Sequence, residues 1–285
     1  MPTRDHIVTL RLSAGGCRYD VRVNDVPVFQ DLEHGHPMTA SMLVNESIAP
    51  GANALSIRML PPPGESALVE DSRVEAVLTI RPHTRPKGDD VALTTLSLRG
   101  GRPRPEDAVA DSTPPGGTSW GSVGAADAAP LPPAGLAARR TVSFALPAHA
   151  WRWLSSDRIP DDDATRRELE RRYSRIRDLL AEGRTDWIPT TMRERHQEMA
   201  LALFEAPEAV EAANGLFAAA RDPGLSLHPL ELPDAEMQVF GDGRLARLVR
   251  WDGRPLIVFV ARDGSGADYF PITFRRQGAD WILCR

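Results

Sequence analysis

Residues 7–98 alternate between apolar and polar positions with a period of two. Leu10 and Leu12 fall on one side of an extended chain, and Thr9 and Arg11 fall on the other. The same alternation returns several times, and Gly, Pro, Asn and Asp separate the segments. Short strands at this spacing predict an all-β sandwich as the first domain, over residues 1–147.

Two of these segments, "YDVRVNDVPVF" and "NESIAPGANALSIRM", carry a resemblance to a known fold. They resemble the jelly-roll accessory domain of family 2 glycoside hydrolases and related galactose-binding-like sandwiches. The resemblance implies a jelly-roll-like sandwich that serves mainly as a scaffold. Turn geometry explains Gly51 and Asn53, because both residue types tolerate positive φ. The matching positions are Asn24, Asp25, Pro50, Gly51, Asn53, Leu55 and Ile57.

Residues 100–138 differ in composition from what precedes them: they are rich in Pro and Gly, and Trp120 is their one aromatic residue. Such a stretch buries too little apolar surface to offset the entropy of ordering its backbone, so it predicts disorder. Alternation then returns in "TVSFAL", residues 141–146. The disordered stretch is therefore either a linker or an insertion within the sandwich.

Helical spacing begins the second domain, which we place at residues 148–285. Asp161, Asp162 and Asp163 precede a predicted helix whose apolar stripe includes Leu169 and Tyr173. A second helix carries Ile188, Met192, Met199 and Leu203, and a third covers "PEAVEAANGLFAAA".

Three Asp-Gly pairs then separate apolar runs, and this is a strong hairpin signal. They predict a curved antiparallel meander, so the second domain is α+β with its helices first. The pairs are Asp242-Gly243, Asp252-Gly253 and Asp263-Gly264. This element order, together with "GADWIL" near the end, resembles the nuclear-transport-factor-like (SnoaL-type) cone fold.

The overall charge and the cysteines limit the classes of function. A formal net charge of −5 gives no basic surface for nucleic acid or an anionic membrane. The only cysteines, Cys17 and Cys284, form neither a metal-binding spacing nor a redox pair. The first residues lack the apolar core of a secretory signal, so we expect a cytoplasmic protein. The sequence has neither a Gly-rich phosphate loop nor a His-Glu-x-x-His motif, so we expect no cofactor.

Two groups of side chains are candidates for chemistry. His34 and His36 share a face of an extended segment and could bind a metal, but without a third ligand a solvated loop explains them better. His196 lies beside the apolar stripe of the second helix, where cone-fold enzymes place a proton-transfer residue. The alternative for His196 is a satisfied core histidine. Its candidate pocket partners are Asp268 and Tyr269.

Trp151, Arg152 and Trp153 form a third candidate, at the junction of the predicted domains. Exposed, they would stack on a sugar or anchor a protein partner, since Trp and Arg dominate interface energetics. Buried, the tryptophans would instead join the two domains.

No catalytic or metal-binding constellation outweighs its structural explanation, so we favour a non-enzymatic protein-interaction module. The type that fits best is a cytoplasmic immunity protein that neutralises a bacterial toxin, with a basic protein partner. The alternatives are a cone-fold enzyme that uses His196, and a carbohydrate-binding protein that acts through the sandwich.

Overall fold

The computed structural model describes residues 6–86, 89–101, 109–111, 121–132, 134–144 and 149–285. The chain is mostly β with several antiparallel sheets, which confirms the β-rich part of the prediction. It divides into two compact units, Met1–Ala150 and Trp151–Arg285. The predicted boundary at residues 147/148 lies outside the described residues.

The first unit contains two five-stranded antiparallel sheets. The first sheet consists, in spatial order, of β4 (Met38–Leu43), β1 (His6–Gly15), β6 (Arg73–Pro82), β7 (Val91–Arg99) and β8 (Val109–Asp111). The second sheet consists of β3 (Val26–Asp31), β2 (Arg18–Val23), β5 (Ala52–Leu60), β10 (Gly135–Phe144) and β9 (Gly121–Leu131).

The alternation in the sequence matches the burial of these strands. On β1, Leu10 and Leu12 are buried while Arg11 is exposed. One hydrophobic core combines residues of both sheets, such as Leu10 from the first and Tyr19 and Ile57 from the second. Period-two patterning therefore assigns the inner face of each sheet correctly.

The structure corrects the predicted role of Asn53, which lies in the segments that carry the family resemblance. Asn24 and Asp25 have φ of 51° and 63°, so β2 and β3 are joined by a turn that requires two left-handed residues. Gly51 has φ of 83°, as predicted. Asn53 does not have a positive φ: it lies within β5, is buried, and holds the preceding turn through its side chain, whose Nδ2 donates to Ala49 O at 3.0 Å and to Gly51 O at 2.9 Å. Its Oδ1 accepts from Asn24 Nδ2 at 2.6 Å and from the Ala49 N–H at 2.7 Å.

The predicted disorder over residues 100–138 is wrong where the structure describes those residues. Strand β9 spans 11 residues of this stretch and pairs with β10 along most of its length. The sequence of β9 is rich in Ala and Gly, but the strand pairs with β10, and Val123, Ala126 and Ala128 pack against the core. Residues 102–108 and 112–120, with Trp120, lie outside the described residues, as does Leu146.

The second unit begins with a 3₁₀ turn at Arg152–Ser155, followed by a helical region. Its helices are α1 (Asp163–Ala181), α2 (Trp187–Thr191), α3 (Arg193–Leu203), α4 (Pro207–Ala212) and α5 (Gly215–Ala219).

The first helix confirms the capping prediction, whereas the third does not form as one helix. The Asp162 carboxylate accepts from the Thr165 N–H at 2.8 Å, and Leu169 and Tyr173 are buried. The segment predicted as a third helix breaks at Asn214, whose Oδ1 accepts from the Leu216 N–H and caps α5. A side chain that competes for backbone N–H groups favours a helix start over a helix interior.

Two antiparallel sheets complete the unit in place of one meander. One contains β11 (Leu225–Leu227), β14 (Ile257–Ala261) and β15 (Ala267–Phe270); the other contains β12 (Glu236–Phe240), β13 (Leu245–Val249), β16 (Phe274–Gln277) and β17 (Asp280–Leu283).

The Asp-Gly pairs predict hairpins correctly at two of three positions. Those at Asp242 and Asp263 join paired strands, β12 to β13 and β14 to β15. After Asp252 the chain makes only an isolated bridge between Val249 and Pro255. Proline has no N–H to extend a ladder, so pairing stops there and the chain enters the other sheet.

Candidate functional site

The candidate triplet at residues 151–153 presents one side chain, not three. Trp151 and Trp153 are 3% and 2% exposed, so they are not surface anchors. Trp153 packs within the second unit, where a Cβ placed on Gly241 would come within 3.3 Å of its ring. The Arg152 side chain remains 52% exposed. The turn therefore buries both tryptophans and projects only Arg152.

Arg152 is fixed at three points on helix α3. Its backbone N–H donates to Glu198 Oε1 at 2.8 Å. Its guanidinium donates to Glu194 Oε2 at 3.1 Å and to Gln197 Oε1 at 3.2 Å. Such contacts restrict a side chain that would otherwise lose considerable rotamer entropy when it binds a partner.

A buried ion pair lies behind Arg152. Arg275, on β16, donates to both carboxylate oxygens of Glu194, at 2.5 and 2.6 Å. It also donates to Gln277 Oε1 at 3.1 Å. The two side chains are only 5% and 9% exposed, and the pair has the bidentate geometry that makes arginine–carboxylate contacts strong. Glu194 thus connects a buried arginine to an exposed one.

The pKa values of the two glutamates of α3 are shifted in opposite directions. Burial alone would raise the pKa of Glu194, but the hydrogen bonds from Arg275 and Arg152 outweigh it and hold the pKa below its ordinary value. Glu198 is buried and accepts a hydrogen bond from the backbone N–H of Arg152, and desolvation raises its pKa above the ordinary value. Burial also raises the pKa of Cys284, beside this cluster, to about 12, so the thiol is not a nucleophile at neutral pH.

Sequence reasoning missed this cluster. The available signal is the spacing of Glu194 and Glu198, since residues four apart lie on one face of a helix. Arg275, the partner of Glu194, is 81 residues away along the chain, and nothing in the sequence connects the two.

His196 is buried in the core, as the second interpretation expects, but only one of its two ring nitrogens has a hydrogen-bond partner among the described residues. Its ring is 2% exposed, and its Nε2 lies 2.7 Å from Asn214 Nδ2. Because Asn214 Oδ1 accepts from the Leu216 N–H, the amide nitrogen must donate to Nε2, which leaves the ring proton on Nδ1. Among the described residues, Nδ1 has no hydrogen-bond partner. Burial, together with the charge of Arg195, lowers the pKa of His196 and outweighs the opposing effect of Glu211.

A cavity of about 200 Å³ adjoins Asn214, but His196 does not line it. Its wall is mainly apolar, with Met192, Met199 and Phe270, and Arg195 and Glu205 add charge. The cavity is smaller than the pockets that usually hold drug-sized ligands.

Asp268 and Tyr269 do not join His196 around this cavity. Asp268 is exposed, and the Tyr269 hydroxyl accepts from Arg254 at 3.0 Å. Phe270 is the strand residue that reaches the cavity wall, and its neighbour Tyr269 points to the opposite face of β15. The predicted three-residue pocket is therefore wrong.

His34 and His36 stack instead of converging on a metal position. Their rings lie 4.9 Å apart and nearly parallel. The Asp31 carboxylate organises this loop by accepting from four consecutive backbone N–H groups, those of residues 33–36. Among the described residues, no group of three His, Cys, Asp or Glu side chains could hold a metal ion.

A shallow cleft of about 360 Å³ lies on the outer face of the second sheet. Alanines of β9 and β10 form part of its floor. Its charged lining residues are Arg22, Asp25, Arg58, Asp127 and Arg139. Three positive and two negative groups on a flat sheet offer many hydrogen bonds and little net charge.

Comparison with protein-family models, with curated proteins and with solved structures gave no match. In the part of the chain that the structure describes, no helix combines the length and apolar character that a membrane crossing requires. Arguments about function therefore rest on the geometry of these sites.

Proposed function

We propose that the protein acts by binding another protein, with Arg152 as an anchor of the interface. The observation that carries the proposal is the state of this side chain: about half exposed, yet held by Glu194, Gln197 and the turn below it. Arginines are enriched among the residues that dominate binding energy, and a side chain ordered in advance loses less entropy on association.

The geometry of His196 favours binding over acid–base catalysis. A general base needs an accessible lone pair within reach of its substrate. In this chain the Nε2 lone pair accepts from Asn214, and the ring does not line the neighbouring cavity. A cone-fold enzyme that uses His196 would have to break this hydrogen bond before each turnover.

The finer fold assignments belong to this proposal. We interpret the first unit as a jelly-roll-like sandwich, supported by the turn at Asn24 and Asp25 and by its two sheets around one core. We interpret the second as cone-like, supported by the order of helices before strands. Both folds serve widely as binding scaffolds, so neither determines the function by itself.

The partner that fits best is a basic protein with a carboxylate for Arg152. The net charge of −5 would attract a basic partner over a distance, while Arg152 would pair locally with an acidic side chain. A cytoplasmic immunity protein that neutralises a bacterial toxin fits this description.

A carbohydrate-binding role through the first unit is the second candidate, favoured by the cleft on the second sheet. Its guanidinium and carboxylate groups match the mixed donors and acceptors of a sugar.

Quantitative affinity capture from the native cell, with Arg152→Ala and Arg152→Lys beside the parent chain, tests the proposal. We expect one protein to be enriched on the parent, lost on Arg152→Ala and partly retained on Arg152→Lys. Arg171→Ala, which removes the same charge from an exposed position on α1, is the matched control. Equal capture by parent and Arg152→Ala, with both folded, would reject Arg152 as the anchor.

A further inference from the structure

Strand β4 forms one edge of the first sheet and carries unusual exposure for an edge strand. It pairs with β1 on one side, and among the described residues no strand pairs with its other side. Met38, Met42 and Leu43 are 43%, 47% and 41% exposed. The sequence MTASML contains no charge and no proline, the devices that normally protect an edge from pairing.

The hydrogen bonds between β4 and β1 determine which backbone N–H and C=O groups of β4 point away from the sheet. The Val44 N–H donates to Val8 O at 3.0 Å, in the same register that pairs Ala40 with Leu12. Backbone groups in an antiparallel pair alternate in direction. Ala40 and Met42 therefore bond to β1, whereas the N–H and C=O of Thr39 and Ser41 point away from it.

The side chains of β4 alternate between the two faces of the first sheet. Met38, Ala40 and Met42 lie opposite Ala14, Leu12 and Leu10, on the face of the sheet that contains the core. Thr39 and Ser41 lie on the opposite face. The core-side methionines at this edge thus extend past the last strand and stay partly uncovered.

The sequence of β4 is chemically the same in both directions about Ala40. In an antiparallel pair of two copies centred on Ala40, Thr39 faces Ser41 of the other copy and Met38 faces Met42. The outward backbone groups of Thr39 and Ser41 then bond to each other, as the hydrogen-bond pattern demands. Centring the pair on Ser41 would instead place Thr39 against Leu43 and mix polar with apolar side chains.

We propose that β4 pairs with β4 of a second copy, so that two first sheets join across a two-fold axis through Ala40. The contact is isologous, as most dimer interfaces are, and it covers the methionine side chains of both copies. Six residues from each chain give a small interface, so we expect weak, concentration-dependent dimers.

Disulfide trapping in the full chain tests the register. Across a non-hydrogen-bonded pair, two Ala40 Cα atoms would lie about 4.5 Å apart, within the range of a disulfide. Two Ser41 Cα atoms would lie diagonally, roughly 7–8 Å apart, beyond that range. Under mild oxidation Ala40→Cys should give a covalent dimer and Ser41→Cys should not. Both native cysteines are buried, so they add little background.

Sedimentation velocity over a range of concentrations tests the contact itself. We expect the parent chain to dimerise and Ser41→Pro to lose the dimer, because proline removes an outward N–H without removing a bond to β1. Hydrogen exchange on β1 would verify that the variant is folded. A parent chain that stays monomeric, a dimer that survives Ser41→Pro, or crosslinking at position 41 rather than 40 would each overturn the proposal.

Discussion

Strand β1 and helix α3 differ in the kinds of side chain that they bury. On β1 the buried positions are the apolar ones, and Arg11 between them is exposed. On α3 Glu194, His196 and Glu198 are buried together with the small apolar Ala200 and Ala202, while the larger apolar Met199 is only partly buried. Hydropathy therefore predicts the inner face of the strand and mispredicts that of the helix, where hydrogen-bond partners decide burial.

The largest expected effect comes from removing the partner of Glu194. Arg275→Met should lower the free energy of unfolding by about 3–5 kcal/mol, because it leaves a buried carboxylate paired only with the half-exposed Arg152. Urea unfolding followed by tryptophan fluorescence reports on the second unit, which contains Trp151, Trp153, Trp187, Trp251 and Trp281.

The matched control is Arg171→Met on the exposed surface of α1, which we expect to change stability by less than about 0.5 kcal/mol. Similar losses of unfolding free energy in both variants would show that the buried ion pair contributes no more to stability than an exposed one. The proposed difference between α3 and β1 would then be wrong.

For a core strand, the comparison predicts that stability depends on the packing of apolar side chains. Leu55→Ala on β5 should cost about 2–5 kcal/mol, because it truncates a side chain that is 1% exposed in the core. Ser56→Ala, one residue away and on the outer face of the sheet, should cost little. Hydrogen exchange of the β5 amides measures both, and equal protection in the two variants would contradict the assigned face.

Asn53 is the exception within the strands. Asn53→Gly should cost roughly 2–4 kcal/mol, because it leaves the Ala49 N–H without its side-chain acceptor and removes one of the two acceptors of Asn24 Nδ2. The sequence alone predicts a nearly neutral change for a residue that only serves a turn. The same hydrogen-exchange measurement distinguishes the two, and an unchanged stability would support the turn interpretation.

Local patterns explain what the sequence could predict. Alternation predicts the faces of β1, and Asp162 predicts the start of α1, because both depend on neighbouring residues. The pairing of Glu194 with Arg275 and of His196 with Asn214 depends on contacts between distant segments. Composition predicts disorder for the segment that forms β9, because the segment has few large side chains. In the structure, pairing with β10 orders it.

The smallest expected effect is a pH dependence from Glu198. Its raised pKa means that the folded chain keeps a proton above the ordinary value of 4.5, where the unfolded chain has lost it. The free energy of unfolding therefore falls as the pH rises from 4.5 through the folded pKa.

Glu198→Gln should remove this fall while keeping an acceptor for the Arg152 N–H. We expect the parent and the variant to keep a constant stability difference below pH 4.5, and the variant to gain on the parent above it. Urea unfolding at a series of pH values measures this difference, and parallel curves throughout would contradict a raised pKa of Glu198.

The central claim is that the buried charges of the second unit hold Arg152 in place for binding. The most direct measurement is the NMR order parameter of the Arg152 Nε–H bond, compared with that of the exposed Arg171. We predict a value near that of rigid backbone, about 0.85, for Arg152 and below about 0.6 for Arg171. An Arg152 side chain as mobile as Arg171 would contradict the claim.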